Sequence, residues 1–283
     1  MWNAKSQETN VKPMRTTRAL LLLCLLILLP LAVRAQSKRV VIETNMGNMT
    51  VMLYDDTPRH RDAFLKKVRE GYYDGTLFGR VIPSFMIQGG APDSRTAPPG
   101  ASIGWGDINE EIPHEIRANH VPKKGALASP RRDDKVNPKR NSDMSMFFIV
   151  QGYTMTPDYM TNWEKLNNEE IRKAVKKRMF TAAVKDTLAQ LKASDAAAYN
   201  AYVRRFNQEM DSVCRHTPGA RYFTPAEREA YATVGGAQHL YNDYTIYGEV
   251  VAGLEVIDRI AELETDMRDR PKTDVRMKIR VIE

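Results

Sequence analysis

Two short apolar runs, Val40-Val41-Ile42-Glu43-Thr44 and Met49-Thr50-Val51-Met52-Leu53-Tyr54, flank the turn segment Asn45-Met46-Gly47-Asn48. Strand-forming runs around an Asn/Gly turn predict a β-hairpin. Thr57-Pro58 then opens a helix, since Thr is a favoured N-cap and Pro fits the first helical position. Ala63, Phe64 and Val68 give that helix its apolar face, and Gly71 ends it. Further short strands are predicted around 77–90, 125–129, 146–151, 244–251 and 276–282, with a second short helix over 256–261. Many short strands with two helices predict a mainly β chain, a closed antiparallel barrel capped at its ends.

One block breaks this pattern. From about 158 to 238 the period becomes helical, with Ile171, Val175, Met179, Val184, Leu188 and Leu191 recurring at helical spacing. Tyr199, Val203, Phe206, Met210 and Val213 repeat the pattern, and Thr224-Pro225-Ala226-Glu227 is a capping box opening a third helix. The block reads as a helical insertion within a domain spanning 36–283.

Residues 1–35 read as a leader. Arg15 and Arg18 precede the apolar stretch Ala19–Val33, and Ala35 closes a small-residue cleavage pattern. The stretch is shorter than the roughly 20 residues of a usual membrane span. A cleaved signal peptide and an exported, periplasmic location are therefore expected, with an uncleaved anchor as the alternative. Cleavage changes the charge picture. It removes five basic residues and one acidic from the 42 and 35 of the whole chain, so the net charge falls from +7 to +3. That is no nucleic-acid signature, and the short basic clusters read as solvated faces. Only Cys214 would remain, so no internal disulfide is expected.

The chemistry concentrates in Phe78-Gly79-Arg80-Val81-Ile82-Pro83-Ser84-Phe85-Met86-Ile87-Gln88-Gly89-Gly90. Read as one strand, its period of two places Arg80, Ile82, Met86 and Gln88 on one side. Pro83 argues for a bend that brings Phe85 to the same place. A charged donor and an amide beside apolar surface suit a peptide with a bulky ring better than a metal or a phosphate. The five histidines show no tight pair at metal spacing, there is no CxxC, and no cofactor is expected.

This run resembles the active-site strand of the cyclophilin family of peptidyl-prolyl isomerases. Gly125-Ala126-Leu127-Ala128, Ser145-Met146-Phe147-Phe148-Ile149-Val150 and Tyr244-Thr245-Ile246-Tyr247-Gly248-Glu249-Val250 resemble later family segments in the same order. The resemblance implies Arg80 as catalytic donor and Gln88 as its peptide-backbone partner. It implies Phe85, Met86, Phe148 and Leu240 as a proline pocket, with Met146, His239 and Tyr244 among the substrate-binding positions. Proline-containing peptides and unfolded exported chains are the implied partners. Departures accompany it: Gly79 replaces a usual His, Met146 a usual Gln, His239 a frequent Trp and Tyr244 a usual His. Pro130 and Arg131 fall where a small and a polar residue are usual. Two functions follow, a folding catalyst for exported proteins or a catalytically weak peptide-binding chaperone using the groove and the inserted helices.

Overall fold

The computed structural model describes residues 38–282. The leader lies outside them. The expected hairpin is β1 (Arg39–Thr44) and β2 (Gly47–Leu53), paired from Arg39 opposite Met52 to Thr44 opposite Gly47. Gly47 sits at φ +124, a conformation that side-chain-bearing residues rarely adopt. The other strands are β3 (Phe78–Ile82), β4 (Met86–Gly89), β5 (Glu111–Ile112), β6 (Ala126–Ala128), β7 (Ser142–Asp143), β8 (Phe147–Val150), β9 (Ile246–Ala252) and β10 (Met277–Ile282). Eight of them form one antiparallel sheet in the order β10-β1-β2-β9-β6-β8-β4-β3, while β5 and β7 pair separately.

The barrel expected to be closed is an open half-barrel. Its outermost strands, β3 and β10, form no ladder. They approach through the single bridge Leu77–Arg276 and a few flanking bonds, such as Phe78 N to Val275 O at 3.0 Å. Two helices cover the sheet, α1 (Pro58–Arg69) and, after the helical block, α7 (Leu254–Ala261). Their apolar faces bury Phe64, Leu65, Ile257 and Ile260 against Val40, Val51, Ile87 and Phe147.

The start of α1 differs from its sequence reading. Thr57 is the N-cap residue, but its hydroxyl makes no capping bond and is buried without a partner. A distant carboxylate satisfies the helix instead. Glu115 accepts from His60 N at 3.0 Å and Arg59 N at 3.3 Å, and its Oε2 lies 2.8 Å from His60 Nδ1. An anion at a helix N-terminus meets both free N–H groups and the dipole.

The 80–88 segment also differs. It is not one bent strand but a tight hairpin, β3 and β4, joined through Pro83, Ser84 and Phe85. Pro83 has no N–H for a ladder, Ser84 takes the left-handed region at φ +63, and Phe85 N bonds Ile82 O at 3.1 Å. Arg80 and Gln88 consequently stand directly opposite each other across the hairpin.

Between β8 and β9 lie five helices: α2 (Pro157–Asn167), α3 (Glu169–Met179), α4 (Ala182–Ser194), α5 (Ala196–Arg215) and α6 (Pro225–Thr233). The first apolar series thus splits at Phe180, because Thr181 caps a new helix by accepting from Val184 N. At α6 both arms of the predicted capping box are present. The block has two small cores. Near the sheet, Met155, Met160, Phe223 and Tyr231 pack together, and farther along the helices Val175, Met210 and Cys214 do so with Ile171 and Phe206.

Candidate active site

The site occupies the outer face of the half-barrel, and strand alternation explains why. Phe147, Ile149 and Ile87 point into the main core, whereas Phe148, Val150 and Met86 point out. On that outer face they join Leu240, Ile246, Phe85 and Tyr244 in a second apolar cluster. The segment before β9 folds over it, with a short helical turn at Gln238–Leu240 setting Leu240 inward.

A cavity of about 110 Å³ opens in this cluster, lined by Phe85, Met86, Phe148, Leu240 and Tyr244, with Arg80, Gln88, Pro130 and Arg131 around them. Seven of the nine residues expected at the site meet here. Met146 does not. It lines an adjoining cavity of about 60 Å³ that shares Arg80 and Gln88, and its sulfur lies 3.8 Å from Gln88 Nε2. His239 lines neither cavity. It is exposed at the rim, with its ring centroid 5.0 Å from that of Phe85. Desolvation of the ring lowers its pKa against the opposing pull of Asp243, so His239 is neutral at neutral pH.

The polar groups are held from far along the chain. Arg80 Nε donates to Asp269 Oδ2 at 3.3 Å, and its half-exposed side chain borders both cavities. Arg131 is only 8% exposed in its side chain. It donates to the Asp243 carbonyl at 2.9 Å and to Asp243 Oδ1 at 2.6 Å, and it also pairs with Asp134. Arg140 shares the same Asp243 oxygen. Tyr244 meets Phe148 edge-on at 5.4 Å, and burial raises its pKa, keeping the hydroxyl protonated as a donor.

Gly79, where the resemblance leads one to expect His, has a local reason. A Cβ there would lie 2.9 Å from Ile103 Cδ1, so an apolar side chain already fills the space. Pro130 and Arg131, read above only as departures from the family pattern, are cavity walls, and Asp243 and Asp269 were not legible as anchors. Their partners lie up to 189 residues away in sequence. One hydrolase pattern is also present: Gly100-Ala101-Ser102-Ile103-Gly104 spells GxSxG. Ser102 sits on an exposed loop without the strand-to-helix turn of a nucleophile elbow, and it carries no such role.

An antiparallel half-barrel with a guanidinium and an amide at the lip of an apolar pocket defines a peptide-groove protein. The cyclophilin type peptidyl-prolyl cis-trans isomerase model matches residues 39–171 and 157–281, and the chain belongs to that family. Among its relatives is a Streptococcus pyogenes protein named as a bifunctional phosphatase/peptidyl-prolyl cis-trans isomerase. It is 31% identical over 84% of this chain, and the match covers 37% of that protein's length. A Staphylococcus haemolyticus protein named as a peptidyl-prolyl cis-trans isomerase is 26% identical over 84% of this chain and 87% of its own. A solved cyclophilin type isomerase of Cryptosporidium parvum aligns with a TM-score of 0.50 at 17% identity. It covers 88% of this chain and 99% of its own, and shows the shared fold.

Proposed function

We propose that this chain isomerises Xaa-Pro bonds in exported polypeptides, with Arg80 stabilising the twisted prolyl amide. The observation that carries the reading is the direct cross-strand pairing of Arg80 with Gln88 at the lip of the apolar cavity. The uncatalysed barrier is about 18–20 kcal/mol and comes from amide resonance. Lowering it needs no covalent step. A guanidinium donating towards the prolyl nitrogen favours its pyramidal form and weakens the partial double bond. Gln88 holds a neighbouring peptide group, while Phe85, Met86, Phe148 and Leu240 grip the ring. These donors are fixed before the bond twists, so the stabilisation is greatest in the transition state.

Met146 tests how complete this machinery is. A buried thioether stands beside Gln88 where the family resemblance places an amide. Met146→Gln keeps the side-chain length and restores a donor and an acceptor. One hydrogen bond is worth about 1 kcal/mol, so kcat/KM should rise roughly fivefold. An unchanged rate in a folded variant would show that the site already compensates.

Export is the second element. The leader pattern supports cleavage after Ala35, releasing a protein that begins at Gln36 and works in the periplasm or another exported compartment. Mass mapping of the N-terminus should find Gln36 first in the soluble fraction. An intact leader in the membrane fraction would reverse the assignment.

A second reading, a peptide-binding chaperone of low catalytic power, rests on the helical block, which we regard as an insertion into the family fold. A cavity of about 580 Å³ lies between Tyr54, His120 and Tyr241 on one side and Arg221, Tyr222 and Glu227 on the other. The Arg221 guanidinium stacks 3.6 Å over the ring of Tyr241, the residue after Leu240 of the proline pocket. Client holding and isomerisation are thus open to the same molecule. Cis/trans exchange of an Ala-Pro peptide with added protein separates them, since only the isomerase quickens it.

A further inference from the structure

Three arginines and no carboxylate line the two cavities of the groove. Arg80 and Arg131 border the larger, and Arg80 and Arg268 the smaller. Three acidic residues stand behind these cations as anchors, while Asp93, beside the smaller cavity, is engaged by Gly104 N at 3.0 Å. Asp269 holds Arg80, Asp243 holds Arg131 and Arg140 together, and Asp134 holds Arg131 from a further side. Arg268 is exposed and enters no ion pair among the described residues.

An anchored pair is electrically lopsided when seen from the cavity. The guanidinium is near and its carboxylate is behind, so the wall presents the positive end of each pair. A ligand charge interacts with the nearer charge more strongly. Arg131 strengthens the effect through its rigidity. Its Nε and both terminal nitrogens are engaged by Asp243, the Arg132 carbonyl and Asp134, so the group does not swing away to solvent. It also lies 5.4 Å over the Tyr244 ring that forms the next part of the wall.

We propose that this groove selects peptides carrying a carboxylate side chain next to the proline and disfavours those carrying an ammonium there. The proposal rests on the reading of the groove as a prolyl-peptide site and adds the class of substrate. Arg131 is the main specificity-determining residue, because it borders the ring pocket itself. Arg268 contributes from the adjoining cavity, beyond Arg80. An acidic residue on one side of the proline reaches the first, and one on the other side reaches the second.

The test is a six-peptide series with Glu, Ala or Lys placed immediately before or immediately after a single proline. Catalysed cis/trans exchange and binding affinity are both measured on the full mature chain. At low salt, Glu should exceed Ala by about threefold or more on at least one flank, and Lys should fall below Ala, the scale of a partly exposed charge pair. The difference should collapse in about 1 M salt, where the screening length is near 3 Å. Arg131→Gln should remove the preference on one flank and Arg268→Gln reduce it on the other. Equal rates and affinities for Glu, Ala and Lys would overturn the proposal, as would a preference that survives unchanged in both variants. If Arg131→Gln fails to fold, Arg268→Gln and the salt series on the unaltered chain still decide it. Failure of the isomerase reading would look different. No peptide would exchange faster, while the affinity series would still report charge selection.

Discussion

Replacing Arg80 with alanine should lower kcat/KM for a Xaa-Pro peptide by tenfold or more, a loss of at least about 1.4 kcal/mol of transition-state stabilisation. Arg80 borders both cavities, stands opposite Gln88 and is the one charged residue of the β3–β4 hairpin. The loss should appear in the rate far more than in stability. The Arg80 side chain is 47% exposed and its partner Asp269 43% exposed. A surface pair of that kind is worth about 0–1 kcal/mol. Arg80→Lys should restore little, because an ammonium lacks the planar fork and is more strongly hydrated. Isomerisation rates and thermal melts of the three proteins separate these effects. Equal catalysis by the wild type and Arg80→Ala would remove Arg80 from the mechanism.

The second large effect concerns the helical block. Asn168 and Arg221 exchange two hydrogen bonds, Asn168 Nδ2 to Arg221 O at 2.7 Å and Arg221 N to Asn168 Oδ1 at 2.8 Å. The chain therefore leaves and returns at one place, and residues 169–220 can be replaced by a short glycine linker. Helices α3, α4 and α5 depart with their own core, since only Tyr222 of that cluster stays behind. The base of the block must remain. Gly236 pairs with both Lys123 and Tyr153, and a Cβ on it would lie 2.5 Å from Pro122 O. The excised protein should unfold cooperatively and isomerise short peptides within about twofold of the full chain, as expected for distant, uncoupled sites. Its suppression of aggregation by an unfolded client should weaken clearly. An unfolded product would mean that α3–α5 complete the fold, and unchanged client protection would leave them without a role in holding.

The apolar members of the site were legible because they follow local rules. Phe148 and Met86 alternate with core residues along their strands, Tyr244 opens a segment that resembles the family, and Leu240 was placed by its implied family position alone. The hairpin was misread as one bent strand, because period two places Arg80 and Gln88 on one side in either case. Cross-strand pairing and alternation give the same answer at that spacing, so the pattern could not choose. The anchors were illegible for a different reason. Asp269, Asp243 and Glu115 act across 189, 112 and 55 residues, and nothing near them in sequence marks a partner. His239 and Met146 were assigned by position in a motif, whereas cavity membership depends on where a loop sets the side chain. The open sheet likewise follows from β3 and β10 meeting at one bridge only, a register that composition does not encode.

The most direct test of the central claim is cis/trans exchange of an Ala-Pro peptide, followed by NMR with the mature protein at catalytic concentration. Uncatalysed exchange takes tens to hundreds of seconds. Exchange should quicken in proportion to added protein, and this acceleration should be lost with Arg80→Ala. Exchange that stays at the uncatalysed rate, while the same peptide binds in the groove, would contradict it and leave a binding protein in place of an isomerase.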